Sequence, residues 1–427
     1  MAQSASANPV RGMRDFLPGQ LKTRNTVLAY IREMVSARGF MEIETPAVED
    51  IHRLHSKQGG ANESMVFEIL KRGLDKDTPV KPGDYIDSGL RYDLTLPLSR
   101  YYANNHADLP AEARIFQTGP VWRAERPQRG RFRQFNQCDI DIIGCTGAAA
   151  EVEVLSTGLT VLTGLGLASR ATLHLNDRRI LDHLMGACGI DMEIRGIVLV
   201  ELDKLDKSTP EEVTAAIAAL EGVGETAAVS LMAAVSELSE IVISTGVTEV
   251  SVPALTDPVP LFDIALVMEQ LADLNPGFRV VFDPSLVRGM SYYTGLIYEV
   301  KLDGESSSIC GGGRYDGMVG RWLGKDIPAV GFSFGFERII GVVEDLTATE
   351  PVAVALGYRT EADHFAAIRL ANALVSRGKQ IGLVKVPRKV KGTFFEELVS
   401  TYQSVIMPEN LALTPEEALL AAKPLRK

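Results

Sequence analysis

VWRAERPQRGRFRQFNQ, residues 121–137, carries Arg123, Arg126, Arg129, Arg131 and Arg133 in one short span, opposed only by Glu125. Apolar runs flank it, RIFQTGPVWR at 114–123 and FNQCDIDIIG at 135–144, so the span predicts a two-stranded hairpin joined by an arginine-rich turn, AERPQRGR. Guanidinium groups are planar forks matched to phosphate oxygens, and strand-borne ones can be held rigidly where charge develops. Phe132 and Phe135 interleave with the arginines, and such rings can stack on a nucleobase. A solvated basic hairpin would carry the same residues, so the span alone leaves both readings open.

Working outward, Leu21, Val27, Leu28, Ile31, Met34 and Val35 fall at near-helical spacing between Leu21 and Arg38, with Gly39 as a stop. FMEIETP at 40–46 then alternates apolar and acidic residues before a proline, which suits a strand at an edge or interface. Beyond the hairpin, from about Asp177 to Val250, alanine, glutamate and leucine dominate in helical periods, as in an inserted helical module. Strand character returns in FRVVFDP (278–284), LIYEVKL (296–302) and AVGFSF (329–334). EDLTATE, from Glu344 to Glu350, reads as a linker. PVAVALGY, a helix over Ala362 to Arg377, and KQIGLVKV then form a strand–helix–strand unit. The resulting division is 1–176 and 256–343 for the two parts of a core, 177–255 for the insertion and 351–427 for a small α/β domain.

Three further clusters carry chemistry. LVRGMSYYTG, from Leu286 to Gly295, sets Arg288 beside Tyr292 and Tyr293, which could wall a small aromatic ligand or simply pack. CGGGRYDG, from Cys310 to Gly317, is a glycine run that permits close backbone approach, yet it matches neither a Walker nor a Rossmann pattern. AVGFSFGFERII, from Ala329 to Ile340, reads as a strand entering a helix with Arg338 in its first turn, a favourable place for an anion or for a carboxylate partner.

At 427 residues, with 46% hydrophobic and 23% charged residues, the chain predicts several globular domains. No apolar run approaches the roughly 20 residues of a spanning helix, and MAQSASANPV at the start resembles no targeting signal, so a frayed tail on a cytoplasmic protein is expected. Cys138, Cys145, Cys188 and Cys310 are irregularly spaced, which suggests neither disulfides nor a zinc site. The net charge of −11 argues against general polyanion binding and leaves room for a local basic groove.

In this order the clusters resemble class II aminoacyl-tRNA synthetases, and more narrowly the histidyl-tRNA synthetases, from about Val10 to Arg338. RGMRDFLP is similar to the family's N-terminal signature, GFMEIETPAVE to motif 1, the hairpin through DIDIIG to motif 2, and GFSFGFERII to motif 3. LVRGMSYYTGLIYEV and GGGRYDG resemble the histidine-specific signatures, while RYDLTLP and HLNDRRILDHL resemble the eukaryote-like branch. The resemblance implies an α+β fold: an antiparallel sheet flanked by helices, a helical insertion and a C-terminal α/β anticodon-binding-like domain. It implies a homodimer built through motif 1, with ATP, L-histidine and tRNA(His) as partners and Mg²⁺ accompanying ATP. By residue, it implies that Arg123 holds the histidine carboxylate and the α-phosphate, and that Arg288 meets the α-phosphate from the opposite side. Glu125 and Arg131 would lie on the nucleotide, and Arg338 on its phosphate tail. Asp93, Thr95, Gln137 and Asp141 would contact the amino group and imidazole, with Tyr292, Tyr293 and Tyr315 completing the pocket.

Two departures stand out. Ser291 occupies the place where the family commonly has aspartate, and after Lys385 the chain reaches its end sooner than the family's usual helix and further strands would. A rival reading is a synthetase-like regulatory subunit of the ATP phosphoribosyltransferase type. Such paralogues tend to lose motif arginines, whereas Arg123, Arg288 and Arg338 are all present here. A third reading keeps histidine activation and uses an acceptor other than tRNA.

Overall fold

The computed structural model describes residues 7–55, 65–73, 85–126, 131–288, 292–305, 307–343, 352–399 and 402–425. The expected linker at 344–350, Arg129 and Ser291 lie outside them, and of the expected tail residues 7–10 are described and exposed. The chain divides into two compact units, Met1–Leu346 and Thr347–Lys427.

The larger unit opens with α1 (Pro18–Ser36), which Pro18 starts and Gln20 secures by accepting the Leu17 N–H. Its buried stripe is Arg24, Val27, Ile31 and Val35, whereas Leu21, placed on that face by the apolar spacing, is 46% exposed. An arginine can take the leucine's place because Glu337 accepts two of its hydrogen bonds, at 2.6 and 2.7 Å. There follow β1 (Met41–Ile43), β2 (Val48–Asp50), α2 (Ile51–Leu54), β3 (Phe67–Leu70), β4 (Ile86–Leu90) and α3 (Thr95–Asn105). Strands β2, β4 and β3 form a small antiparallel sheet.

The arginine hairpin is β5 (Ala113–Trp122) and β6 (Gln134–Ile143), paired from Ala113↔Ile143 to Trp122↔Gln134. After α4 (Ala148–Gly164) and β7 (Ala171–Asp177) come the helices α5 (Arg178–Ala187), α6 (Met192–Leu202), α7 (Pro210–Ala218) and α8 (Gly224–Ser239). A two-stranded ribbon, β8 (Glu249–Val250) with β9 (Val259–Pro260), and α9 (Ile264–Leu274) lead back to β10 (Arg279–Phe282) and β11 (Leu296–Leu302). The unit closes with β12 (Cys310–Arg314), α10 (Asp316–Val319), β13 (Ala329–Phe334) and α11 (Phe336–Val342).

Eight strands form one sheet in the order β1-β5-β6-β13-β12-β11-β7-β10. The six central strands are antiparallel, as expected, but both edge strands run parallel to their neighbours, so the sheet is mixed. Long crossovers, 44–112 and 178–278, allow this, since a parallel pair needs a connection of about a dozen residues or more. Motif 1 thus supplies an edge strand, β1. Between α4 and β12 the buried Glu151 and Arg314 pair through two contacts, at 2.5 and 2.6 Å, and Arg314 also meets Asp316 at 3.0 Å.

The smaller unit contains β14 (Val352–Tyr358), α12 (Glu361–Val375), β15 (Ile381–Lys385), α13 (Gly392–Leu398), β16 (Tyr402–Ile406), α14 (Pro415–Leu420) and β17 (Lys423–Pro424). Its sheet runs β15-β14-β16-β17, parallel in the first three strands. Beyond Lys385, where the sequence reading expected early termination, the chain builds two more helices and two more strands. A capping box of Thr414 and Glu417 starts α14.

Glu151→Ala should lower the thermal unfolding midpoint of the larger unit, because it takes from the buried Arg314 its doubly bonded carboxylate and leaves it Asp316 and the Gly147 carbonyl. Breaking a buried pair costs about 3 kcal/mol or more, so an unchanged midpoint by calorimetry would refute this role.

Candidate active site

Strand pairing sets residues into transverse ranks across the sheet. One rank runs His174, Glu299, Gly311, Ser333, Asp139 and Gln117, and the next runs Asn176, Ile297, Gly313, Gly331, Asp141 and Ile115. Because side chains alternate along a strand, both ranks face the same side. Above them lies a cleft of about 1100 Å³. Its central floor is bare backbone. A Cβ at Gly311 would strike the Arg288 guanidinium, and one at Gly331 would strike the Asp141 carboxyl.

One end of the cleft is acidic. Asp139 and Asp141 stand two residues apart on β6, and Asp93 lies just before α3; all three are buried. Burial pushes the Asp141 carboxyl up to about 7, against a 2.6 Å hydrogen bond donated by the Tyr315 hydroxyl. Burial likewise lifts Asp93 to about 6, although the Leu96 N–H and the Arg123 charge oppose it. Asp139 is raised well above the ordinary range by burial and by Asp141, despite accepting the Ser333 hydroxyl at 2.5 Å. The Gln137 amide N–H₂ donates to Asp139 at 3.3 Å, which turns its carbonyl oxygen the other way. That oxygen and Asp93 Oδ2 are buried with no hydrogen-bond partner among the described residues. Two orphaned acceptors amid carboxylates suit a cationic donor. Tyr292, Tyr293 and Tyr315 wall this end, with ring centroids 4.8 Å apart for the first pair and 6.0 Å for Tyr292 and Tyr315. The Tyr292 hydroxyl hydrogen-bonds Thr95.

The other end is cationic. Arg123, Arg126, Arg131, Arg288 and Arg338 all line the cleft. Arg123 donates Nε to the Tyr92 carbonyl at 3.0 Å and lies 5.1 Å from the Phe135 ring centroid. Arg133 instead shapes the turn, donating Nε to the Glu125 carbonyl at 2.9 Å, while Arg131 approaches Glu125 at 3.5 Å. Arg338 donates to the Ser308 carbonyl. Burial and the nearby Arg131 charge pull its affinity for a proton down, and Arg288 and Arg123 add to the effect. Such crowding of like charges is relieved by a polyanion.

The structure therefore gathers every expected site residue around one cleft. Arg123, Glu125, Arg131, Arg288, Arg338, Thr95, Gln137, Asp141, Tyr292, Tyr293 and Tyr315 line it, and Asp93 stands buried immediately behind. The sequence reading missed Asp139, Ser333 and Glu299, and also Asp203, Leu205, Asp206 and Lys207, which the helical segment after α6 contributes to the wall. Asp139 could have been found from strand periodicity alone, since Gln137 and Asp141 fix the face. The segment at 203–207 carries no such signal.

The Histidyl-tRNA synthetase family matches residues 12–339 of the chain. The "Histidine--tRNA ligase" of Leifsonia xyli subsp. xyli (strain CTCB07) is 40% identical over 422 residues, which cover 96% of this chain and 97% of that protein. The "Probable histidine--tRNA ligase" of Tropheryma whipplei (strain Twist) is 39% identical over 378 residues, 87% of this chain and 88% of that one. Two solved structures share the fold. An ATP phosphoribosyltransferase regulatory subunit/histidyl-tRNA synthetase from Bacillus halodurans C has a TM-score of 0.71 at 20% identity, covering 95% of this chain and 99% of its own. The histidyl-tRNA synthetase from Nostoc sp. PCC 7120 has a TM-score of 0.70 at 21% identity, covering 96% and 93%.

The acidic end also sets a stability prediction. A carboxyl whose folded pKa is raised favours the folded state while protonated, and that contribution is lost as pH rises through the folded value. Asp141→Asn should therefore melt higher than the parent at pH 8, with the gain fading as pH falls through about 7 towards the unfolded carboxyl range. Equal melting differences at pH 8 and pH 4.5 would contradict the buried-charge account.

Proposed function

The chain belongs to the histidyl-tRNA synthetase family, and from that premise we propose how its cleft carries out histidine–tRNA ligation. The enzyme activates L-histidine with ATP to histidyl-adenylate and passes the histidyl group to tRNA. The observation that carries this reading is the polarity of the cleft, with orphaned acceptors and carboxylates at one end and clustered guanidinium groups at the other.

Histidine lies with its ammonium group towards Asp93, Thr95 and Gln137, and its imidazole between Asp141 and the wall of Tyr292, Tyr293 and Tyr315. An analogue without ring nitrogens would leave Asp141 unsatisfied in a closed pocket, which supplies discrimination. ATP lies over the hairpin, with Glu125 and Arg131 on the nucleotide and Arg338 on the phosphate tail. Arg123 and Arg288 flank the α-phosphate. The histidine carboxylate attacks the α-phosphorus and the bond to the departing pyrophosphate breaks, so no protein nucleophile is required. The ribose hydroxyl at the tRNA end then attacks the acyl carbon, and AMP leaves. Positioning and charge stabilisation account for the rate. Among the described residues no three His, Cys, Asp or Glu side chains group as a metal site, so Mg²⁺ would enter on the ATP phosphates as part of that substrate.

The remaining expectations are proposals of the same kind. A homodimer would form through the motif 1 edge, where β1 ends the sheet and Met41 and Val48 are exposed. The smaller unit would read the anticodon of tRNA(His). Among the described residues no helix is long and apolar enough to cross a membrane, and the cytoplasm is the proposed location.

Purified protein should catalyse histidine-dependent exchange of pyrophosphate into ATP, and Arg288→Ala should reduce it by about 10²–10³-fold. Absence of exchange with histidine, ATP and Mg²⁺ would overturn the activation step. Charging of a tRNA(His) transcript should follow, and exchange without charging would point to another acceptor.

A further inference from the structure

Arg288 follows a stretch of backbone, 283–286, that side-chain hydrogen bonds hold in place. Asp283 accepts the Ser285 N–H and hydroxyl, at 3.1 and 2.5 Å, and buried Asn176 donates to the Pro284 and Leu286 carbonyls, at 3.1 and 3.0 Å. These pins fix the backbone up to Leu286 and leave the long Arg288 side chain to be fixed separately. An unrestrained arginine loses about 2 kcal/mol of rotamer freedom when ordered. It is also repelled here, because its charge bears on Arg338.

The Tyr293 hydroxyl hydrogen-bonds the guanidinium, and the sheet supplies the ionic restraint. Glu299 on β11 lies directly opposite Gly311 on β12, in the rank that forms the cleft floor. The Arg288 guanidinium occupies the space over Gly311 and meets the Glu299 carboxylate at 2.5 Å, with both side chains about one-fifth exposed (18% and 20%). Burial works against the Arg288 charge, yet the adjoining Tyr293 and Glu299 outweigh it and strengthen its hold on the proton. Glu299 is rooted in the middle of a strand between β7 and β12, so its carboxylate is a stiff reference point rather than a flexible partner.

Resting on the ligase reading above, we propose that Glu299 is a positioning residue of the activation step, holding Arg288 over Gly311 so that its free N–H groups meet the α-phosphate as charge develops. Glu299 touches neither substrate nor the reacting atoms. The competing arrangement is one in which Glu299 parks Arg288 away from the phosphate and must be displaced, and the two predict opposite changes.

The test is steady-state exchange and single-turnover adenylate formation with the full chain. The parent enzyme must first show histidine-dependent exchange, and its failure there would defeat the ligase reading rather than this proposal. Given an active parent, Glu299→Gln should lower kcat about 10–100-fold with KM for histidine and ATP little changed, and Glu299→Asp should recover part of the loss. In an Arg288→Ala background, Glu299→Gln should cost less than about twofold, because the group it positions is gone. An unchanged or faster Glu299→Gln enzyme, or the same fold-loss with and without Arg288, would overturn the proposal. Because a general loss of folding would act equally in both backgrounds, the double variant separates positioning from mere structural support.

Discussion

Two charged groups of the cleft occupy volume that sheet side chains would otherwise fill. Arg288 lies over Gly311 and Asp141 over Gly331, on neighbouring central strands. Their placement depends on strand register, since a slip of one residue exchanges the two faces of a strand. The face turned away carries Tyr298, Phe332, Phe334 and Cys138, all buried. A one-residue shift of β13 would thus put Phe332 where Gly331 stands, replacing bare floor with a packing residue and closing the site. The hydrogen-bond ladder of the sheet is therefore also the ruler that spaces the chemistry, and the small residues at its centre are as much part of the site as the arginines.

Apart from the Arg288–Glu299 and Arg131–Glu125 pairs, the charges of the cleft are sorted by sign towards its two ends. Burying three carboxyls at one end raises two of them to about 6 and about 7 and lifts the third well above the ordinary carboxyl range, and guanidinium groups at the other end bear unfavourably on Arg338. Neither arrangement stabilises the empty fold. Both suit a ligand carrying an ammonium group at one end and phosphate at the other, as histidyl-adenylate does. The free energy withheld from folding is thereby available for binding, a common trade between stability and activity.

Much of this was legible in the sequence because local pattern and tertiary role coincide. The hairpin at 114–144, the helix near 21–38, and the strands LIYEVKL and AVGFSF appear where periodicity puts them. The arginines announced themselves by clustering, and the histidine-type residues came from resemblance to the family. What stayed hidden required partners distant in sequence. Leu21 looks like a core residue by spacing, but Arg24 takes that place because Glu337 lies 313 residues away. Glu299 reads as an ordinary polar residue on a strand until the pairing with β12 sets it opposite Gly311. YQSVI at 402–406 is too short to stand out, and it becomes a strand because β14 offers it a parallel edge.

The adjacent pair Glu337 and Arg338 shows how the two ends of the larger unit are connected. Successive residues on a helix point about 100° apart, so α11 sends these opposite charges in different directions instead of letting them neutralise each other. Glu337 turns towards Arg24 and Arg14, which it meets at 2.6 and 2.7 Å, and it also accepts the Asn136 N–H at 3.2 Å. Burial alone would raise its carboxyl, but the Arg24 contacts prevail and keep it ionised. Arg338 turns into the cleft and donates to the neutral Ser308 carbonyl. The segment RGMRDFLP thus acts at a distance from the reacting groups. It engages Glu337, which α11 turns away from Arg338, and it lays Arg14 over the Phe132 ring at 3.3 Å from its centroid, beside the hairpin on which the nucleotide would rest.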